Sequence, residues 1–61
     1  MSAMVGHTVI AWNLSRRYQV RGVVREVTDA GYLVEHTYYL QRAFRFVTTK
    51  QIFTNVEVVF P

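Results

Sequence analysis

Side chains alternate between apolar and polar along most of this chain, and a period of two marks strands whose two faces see different surroundings. Eleven Val, two Ile, six Thr and nine aromatic residues make 28 of the 61 residues strand formers, against three Leu and four Ala. No proline precedes Pro61, and no Gly/Ser linker or internal repeat divides the chain. The expectation is an all-β protein with one domain over residues 1–61, of which 1–6 form a loose N-terminal tail.

Five strands follow from the pattern. Thr8 to Leu14 alternates, with Val9 and Ala11 on one side and Ile10, Trp12 and Leu14 on the other. Ser15-Arg16-Arg17 is a polar break. Tyr18 to Thr28 is long, and its alternation slips near Gly22, where Val23 and Val24 are adjacent; a bulge or sharp bend is expected there. Asp29-Ala30-Gly31 is a tight turn. Tyr32 to Leu40 carries Tyr32, Val34, His36, Tyr38 and Leu40 on one face. Gln41-Arg42 turns the chain into Ala43–Thr49. Lys50 to Asn55 interrupts the pattern, as a single 3₁₀ turn before the last strand would, and Val56 to Phe60 alternates again. Five short strands with a strongly bent second strand suit a small SH3-like barrel, whose closure removes exposed edges.

A chain this short has a thin core and usually carries a staple. There is no cysteine, and His7 and His36, the only histidines, stand in no ligand-spaced cluster, so neither a disulfide nor a metal site is expected. Self-association into a homo-oligomer is the remaining support. Tyr32, Tyr38, Tyr39, Phe44, Phe46, Phe53 and Phe60 exceed what such a core hides, so some are expected at the surface or between subunits.

Six arginines and one lysine against four acids give a net charge of +3 and a pI near 9.8. The Arg bias suits planar contacts with phosphate, carboxylate or aromatic faces. No apolar run reaches the length of a membrane span, and the first residues lack the pattern of a signal peptide, so the chain reads as cytoplasmic and not membrane-bound.

Gly22-Val23-Val24, a turn, and Gly31-Tyr32-Leu33-Val34-Glu35 resemble the central hairpin of SH3-like barrels. Two families of that architecture are similar in part. Gly31-Tyr32-Leu33-Val34-Glu35 and Lys50-Gln51-Ile52-Phe53 resemble segments of the plasmid-borne type II dihydrofolate reductases, homotetramers with a central pore. That resemblance implies a reductase using NADPH, with Gln51 and Ile52 in the pore wall. Phe53 stands where the family has a hydroxyl-bearing ring, Lys50 replaces an apolar residue, and Arg16 or Arg17 is the cation available in an early loop. Ile10-x-Trp12-x-Leu14, Val20-Arg21-Gly22 and the segment Thr49 to Thr54 are similar to strands of the Sm-like RNA-binding proteins, which implies a ring and an RNA partner.

Two basic groups stand out. Arg16, Arg17, Arg21 and Arg25 lie within ten residues, and Arg21 and Arg25 share strand parity, which would put them on one face about 13 Å apart. Trp12 and Tyr18 flank them, in the combination that stacks on single-stranded bases; the alternative is a solvated sheet face with Trp12 in the core. Arg42, Arg45 and Lys50 form the second group. His36 shares an apolar face and reads first as a packing histidine. With no Gly-rich phosphate loop and no usefully spaced carboxylates, no residue is assigned a catalytic role. The leading expectation is a non-enzymatic binding module without a cofactor. It self-associates and holds a polyanionic partner, above all nucleic acid, through Arg16, Arg17, Arg21, Arg25, Arg42, Arg45, Lys50, Trp12 and Tyr18. The alternatives are the NADPH-dependent reductase, with Gln51, Ile52 and Phe53 at a pore, and a protein-binding module of a phage or mobile element.

Overall fold

The structure, a computed structural model, describes residues 4–59. It is all-β, as the alternation requires: β1 (Thr8–Trp12), β2 (Val20–Thr28), β3 (Gly31–Leu40), β4 (Arg45–Phe53) and β5 (Asn55–Val58), with one 3₁₀ turn at Gln41–Ala43. The strands form one antiparallel sheet in the order β4-β3-β2-β1-β5. The expected closure into a barrel is not made, because β4 and β5 end the sheet on opposite sides and do not pair. The sheet curls instead. Val9, Ala11, Val24, Val34 and Phe53 form the core, and Val56 and Val58 from one end of the sheet pack against it alongside Phe53 from the other.

Several boundaries differ from the expectation. The 3₁₀ turn lies before β4, not before β5; residues 50–53 extend β4, because Lys50, Gln51, Ile52 and Phe53 pair with Glu35, Val34, Leu33 and Tyr32. β1 ends at Trp12, and Leu14 and Tyr18 belong to the β1–β2 loop. Residues 1–6 are not wholly a loose tail. Met4 packs against the core, and the Gly6 N–H donates to the Val24 carbonyl at 2.8 Å; residues 1–3 lie outside the described residues. The last strand stops at Val58, and Phe60 is also outside them.

The irregularity expected in β2 is present as a bulge, but it does not lie at Gly22. Register shifts between Val24 and Glu26, so Arg25 is the extra residue of a bulge. Gly22 serves another need: a Cβ there would stand 2.3 Å from the Glu35 carbonyl oxygen and 2.8 Å from Val34 Cγ1. Only a residue without a side chain lets β2 and β3 approach this closely.

At the β4–β5 corner a single residue, Thr54, separates the two end strands of the sheet and carries the chain from one to the other. Asn13 holds it. Its Oδ1 accepts the Thr54 N–H at 2.9 Å, and its backbone carbonyl accepts Asn55 Nδ2 at 2.9 Å.

Candidate nucleic-acid interface

Cross-strand register sorts the cations by face. Pairing of Ile10 with Arg21 and Glu57, and of Glu35 with Val23 and Lys50, puts Arg21, Lys50, Glu35 and Glu57 on the face away from the core. Arg25 reaches that face too, although the bulge breaks the parity expected of it. Its Nε and Nη2 both donate to Glu35 Oε2, at 3.0 and 2.6 Å. The Glu35 carboxyl is held below its ordinary range, first by this hydrogen bond, which outweighs the opposing effect of desolvation, with smaller help from the charges of Arg25 and Lys50. Arg16 bonds Glu57 and lies over the half-buried Trp12 ring, 4.5 Å from its centroid. Much of the first basic group is therefore spent within the molecule. Arg16 and Arg25 have carboxylates, Trp12 already has its cation, and Tyr18 stands alone on the loop, 79% exposed.

The second group is presented differently. β2 pairs with β3 only as far as His36, whereas β3 and β4 stay paired out to Leu40 and Arg45. Thr37–Leu40 and Arg45–Thr48 thus form a two-stranded ribbon overhanging the sheet by roughly 13 Å. Thr37 and Thr48 share a hydroxyl–hydroxyl hydrogen bond of 2.9 Å on one of its faces, and Tyr39 meets Phe46 edge-on at 5.2 Å. At the tip, the Phe44 N–H closes the 3₁₀ turn on the Gln41 carbonyl, and Phe44 takes the left-handed conformation at φ 52°. Its ring is 83% exposed and that of Phe46 72%, with Tyr38 and Tyr39 about half exposed. Arg42 and Arg45 flank Phe44. Among the described residues neither they, nor Arg17, nor Arg21 has a carboxylate partner. The aromatics of this ribbon were read from sequence as surplus to the core; the structure places Tyr38, Tyr39, Phe44 and Phe46 on the same overhang as Arg42 and Arg45.

Gln51, Ile52 and Phe53 do not share a face. Ile52 lies on the outer face opposite Leu33, Phe53 is in the core, and Gln51 borders a groove of about 420 Å³ with Asn13, Leu14, Ser15, Tyr18, Val20 and Phe53. The lining of that groove contains no cation. His36 meets Phe53 edge-on at 6.0 Å and lies beside Tyr38 at 6.2 Å, with its Nε2 buried and without a hydrogen-bond partner among the described residues. Among the described residues there is no cluster of three His, Asp or Glu side chains that could hold a metal, and no helix long and apolar enough to cross a membrane.

Comparison of this chain with protein-family models, with curated proteins and with solved structures returns no match.

Proposed function

We propose that the protein is a small β-sheet module that binds single-stranded nucleic acid through the β3–β4 ribbon. Phe44, Phe46 and Tyr39 stack on bases, Arg42 and Arg45 hold phosphates, and Lys50, Arg21 and Arg17 extend the positive field. The observation that carries this reading is Phe44. A bulky residue in the left-handed region costs on the order of 1 kcal/mol. Here that cost supports no core contact, because Phe44 stands in solvent, near in sequence to Arg42 and Arg45, which have no carboxylate partner among the described residues. Exposed rings beside free guanidinium groups are what a base stack with a phosphate backbone requires.

The test is fluorescence anisotropy with labelled oligonucleotides of mixed sequence, single-stranded and duplex, across a salt series. Single strands should bind more tightly than duplex, with the logarithm of affinity falling by about 0.7 per log unit of salt for each phosphate neutralised. Absence of binding at low salt, or affinity indifferent to salt, refutes the proposal.

A further inference from the structure

The sheet has two edges, and they differ. β5 offers four residues, whereas β4 offers nine, Arg45 to Phe53, with no proline and no bulge. A long regular edge is a template for another strand, and proteins commonly blunt it with a charge, a proline or a bulge. The one charge in the middle of β4, Lys50, is offset by Glu35 directly across on β3. The bulge of this sheet lies in β2.

The backbone groups open at this edge can be identified. The Phe53 carbonyl points at β3, lying 2.5 Å from where a Cβ on Gly31 would be, while the Ile52 carbonyl points away from β3 and accepts Asn13 Nδ2 at 3.4 Å. Because the direction alternates along an antiparallel strand, Phe46, Thr48 and Lys50 also turn their N–H and C=O groups outward. Thr48 and Lys50 occupy the middle of the strand, where both side chains are exposed.

We infer that a second copy of this chain pairs here, β4 against β4, antiparallel about a two-fold axis at Thr49. Symmetry restricts the choice of register. A two-fold axis perpendicular to the sheet returns each face to itself, so only residues of equal parity stand opposite one another. Centring on Thr49 opposes the whole strand: Phe46 meets Ile52 on the outer face, Thr48 meets Lys50, and Thr49 meets its own copy. Centring on Lys50 would set two ammonium groups face to face. Centring on Thr48 would leave Ile52 and Phe53 unopposed and place Phe46 against Lys50. In the Thr49 register each Lys50 lies between its own Glu35 and Thr48 of the second copy, so its charge stays compensated. Thr48 and Lys50 exchange both backbone hydrogen bonds with the Lys50 and Thr48 opposite, making four bonds in a continuous ten-stranded sheet. Arg45 and Phe46 belong to both surfaces, but Arg42 and Phe44 at the tip lie outside β4, and the pairing is read from backbone register and cross-linking, a test that does not depend on nucleic-acid binding.

The natural chain has no cysteine, which makes cross-linking a clean test. Thr49 falls at a pair without mutual hydrogen bonds, where opposed Cα atoms are about 4.5 Å apart, within disulfide range. Val47 and its copy would be about 14 Å apart along the same edge, out of range. Thr49→Cys should give a covalent dimer with oxidised glutathione and Val47→Cys should not, while sedimentation of the unmodified protein should show a species of twice 7.2 kDa that dissociates on dilution. Thr48→Pro removes an outward N–H, leaves the β3 ladder intact, and should yield a folded monomer by circular dichroism and sedimentation. A monomer at every concentration, or cross-linking through Val47→Cys and not Thr49→Cys, overturns the inference. So does a larger ring in which Thr49→Cys does not cross-link.

Discussion

Arg25 and Glu35 meet across a β-bulge: the residue that breaks the β2–β3 register uses two nitrogens of its guanidinium to hold one carboxylate oxygen of its neighbour strand. Glu35 is the hub of the outer face, since Lys50 stands on its other side. Its folded pKa is depressed, so the pair's contribution is fully present above the unfolded carboxyl value of about 4.3 and is lost as pH falls through the folded value. The side-chain carboxyl carbon of Glu35, followed by NMR, should titrate below an ordinary glutamate. In Arg25→Gln its midpoint should move upward, and acid unfolding should begin at higher pH. Equal midpoints in the two proteins would show that Arg25 does not hold the carboxylate in solution.

Gly22 separates the close backbones of β2 and β3. Gly22→Ala brings a methyl against the Glu35 carbonyl, which the ladder cannot move away, so a loss of about 1–3 kcal/mol is expected. For a domain of this size each kcal/mol corresponds to roughly 4–8 °C in Tm. A thermal melt within a degree of the unmodified protein would mean that the strands are not this close.

The β4–β5 corner depends on Asn13. Asn13→Ala leaves the Thr54 N–H without its side-chain acceptor and removes the bond to the Ile52 carbonyl. The expected cost is about 1 kcal/mol, with amide exchange at Thr54 and Asn55 rising before the rest of β5 opens.

Phe44 should separate stability from binding. Phe44→Gly relieves the left-handed backbone and removes the exposed ring, so thermal stability should rise while affinity for single strands falls by about 5- to 150-fold, the value of one base stack. Val34→Ala, in the core, should do the reverse, costing about 2 kcal/mol or more in stability and leaving affinity unchanged under folded conditions.

The arginines beside it make a different mark. Arg42→Gln and Arg45→Gln should each weaken binding and lower the slope of log affinity against log salt by about 0.7, with no change in melting temperature beyond about 0.5 kcal/mol equivalent. Arg16→Gln should leave that slope unchanged, because Arg16 is engaged by Glu57 and Trp12.

Period-two alternation was enough to place all five strands, since Val9 and Ala11 of β1, Val24 of β2 and Val34 of β3 face one shared core. It misled at Lys50 to Asn55, which reads as a single 3₁₀ turn although Lys50 to Phe53 belong to β4. That segment is a strand because Tyr32–Glu35 offer it a partner, and an edge strand tolerates polar residues on an exposed face. Glycine also drew the bulge to the wrong place. The adjacent exposed pair Arg25-Glu26 marks it better, because two neighbouring residues both turned to solvent signal a break in alternation. Among the cations, sequence gave membership but not availability. Whether an arginine is free depends on the carboxylate opposite, and Glu57 lies 41 positions beyond Arg16 along the chain.

The overhanging ribbon divides the labour of this small chain. Val9, Ala11, Val24, Val34 and Phe53 decide whether the molecule folds, and none of them lies beyond the last β2–β3 pair, Gly22 with His36. Phe44, Phe46, Arg42 and Arg45 are consequently open to substitution without endangering the scaffold. Selection can retune what the tip grips one residue at a time, and a library varied only there would be a practical route to new specificities.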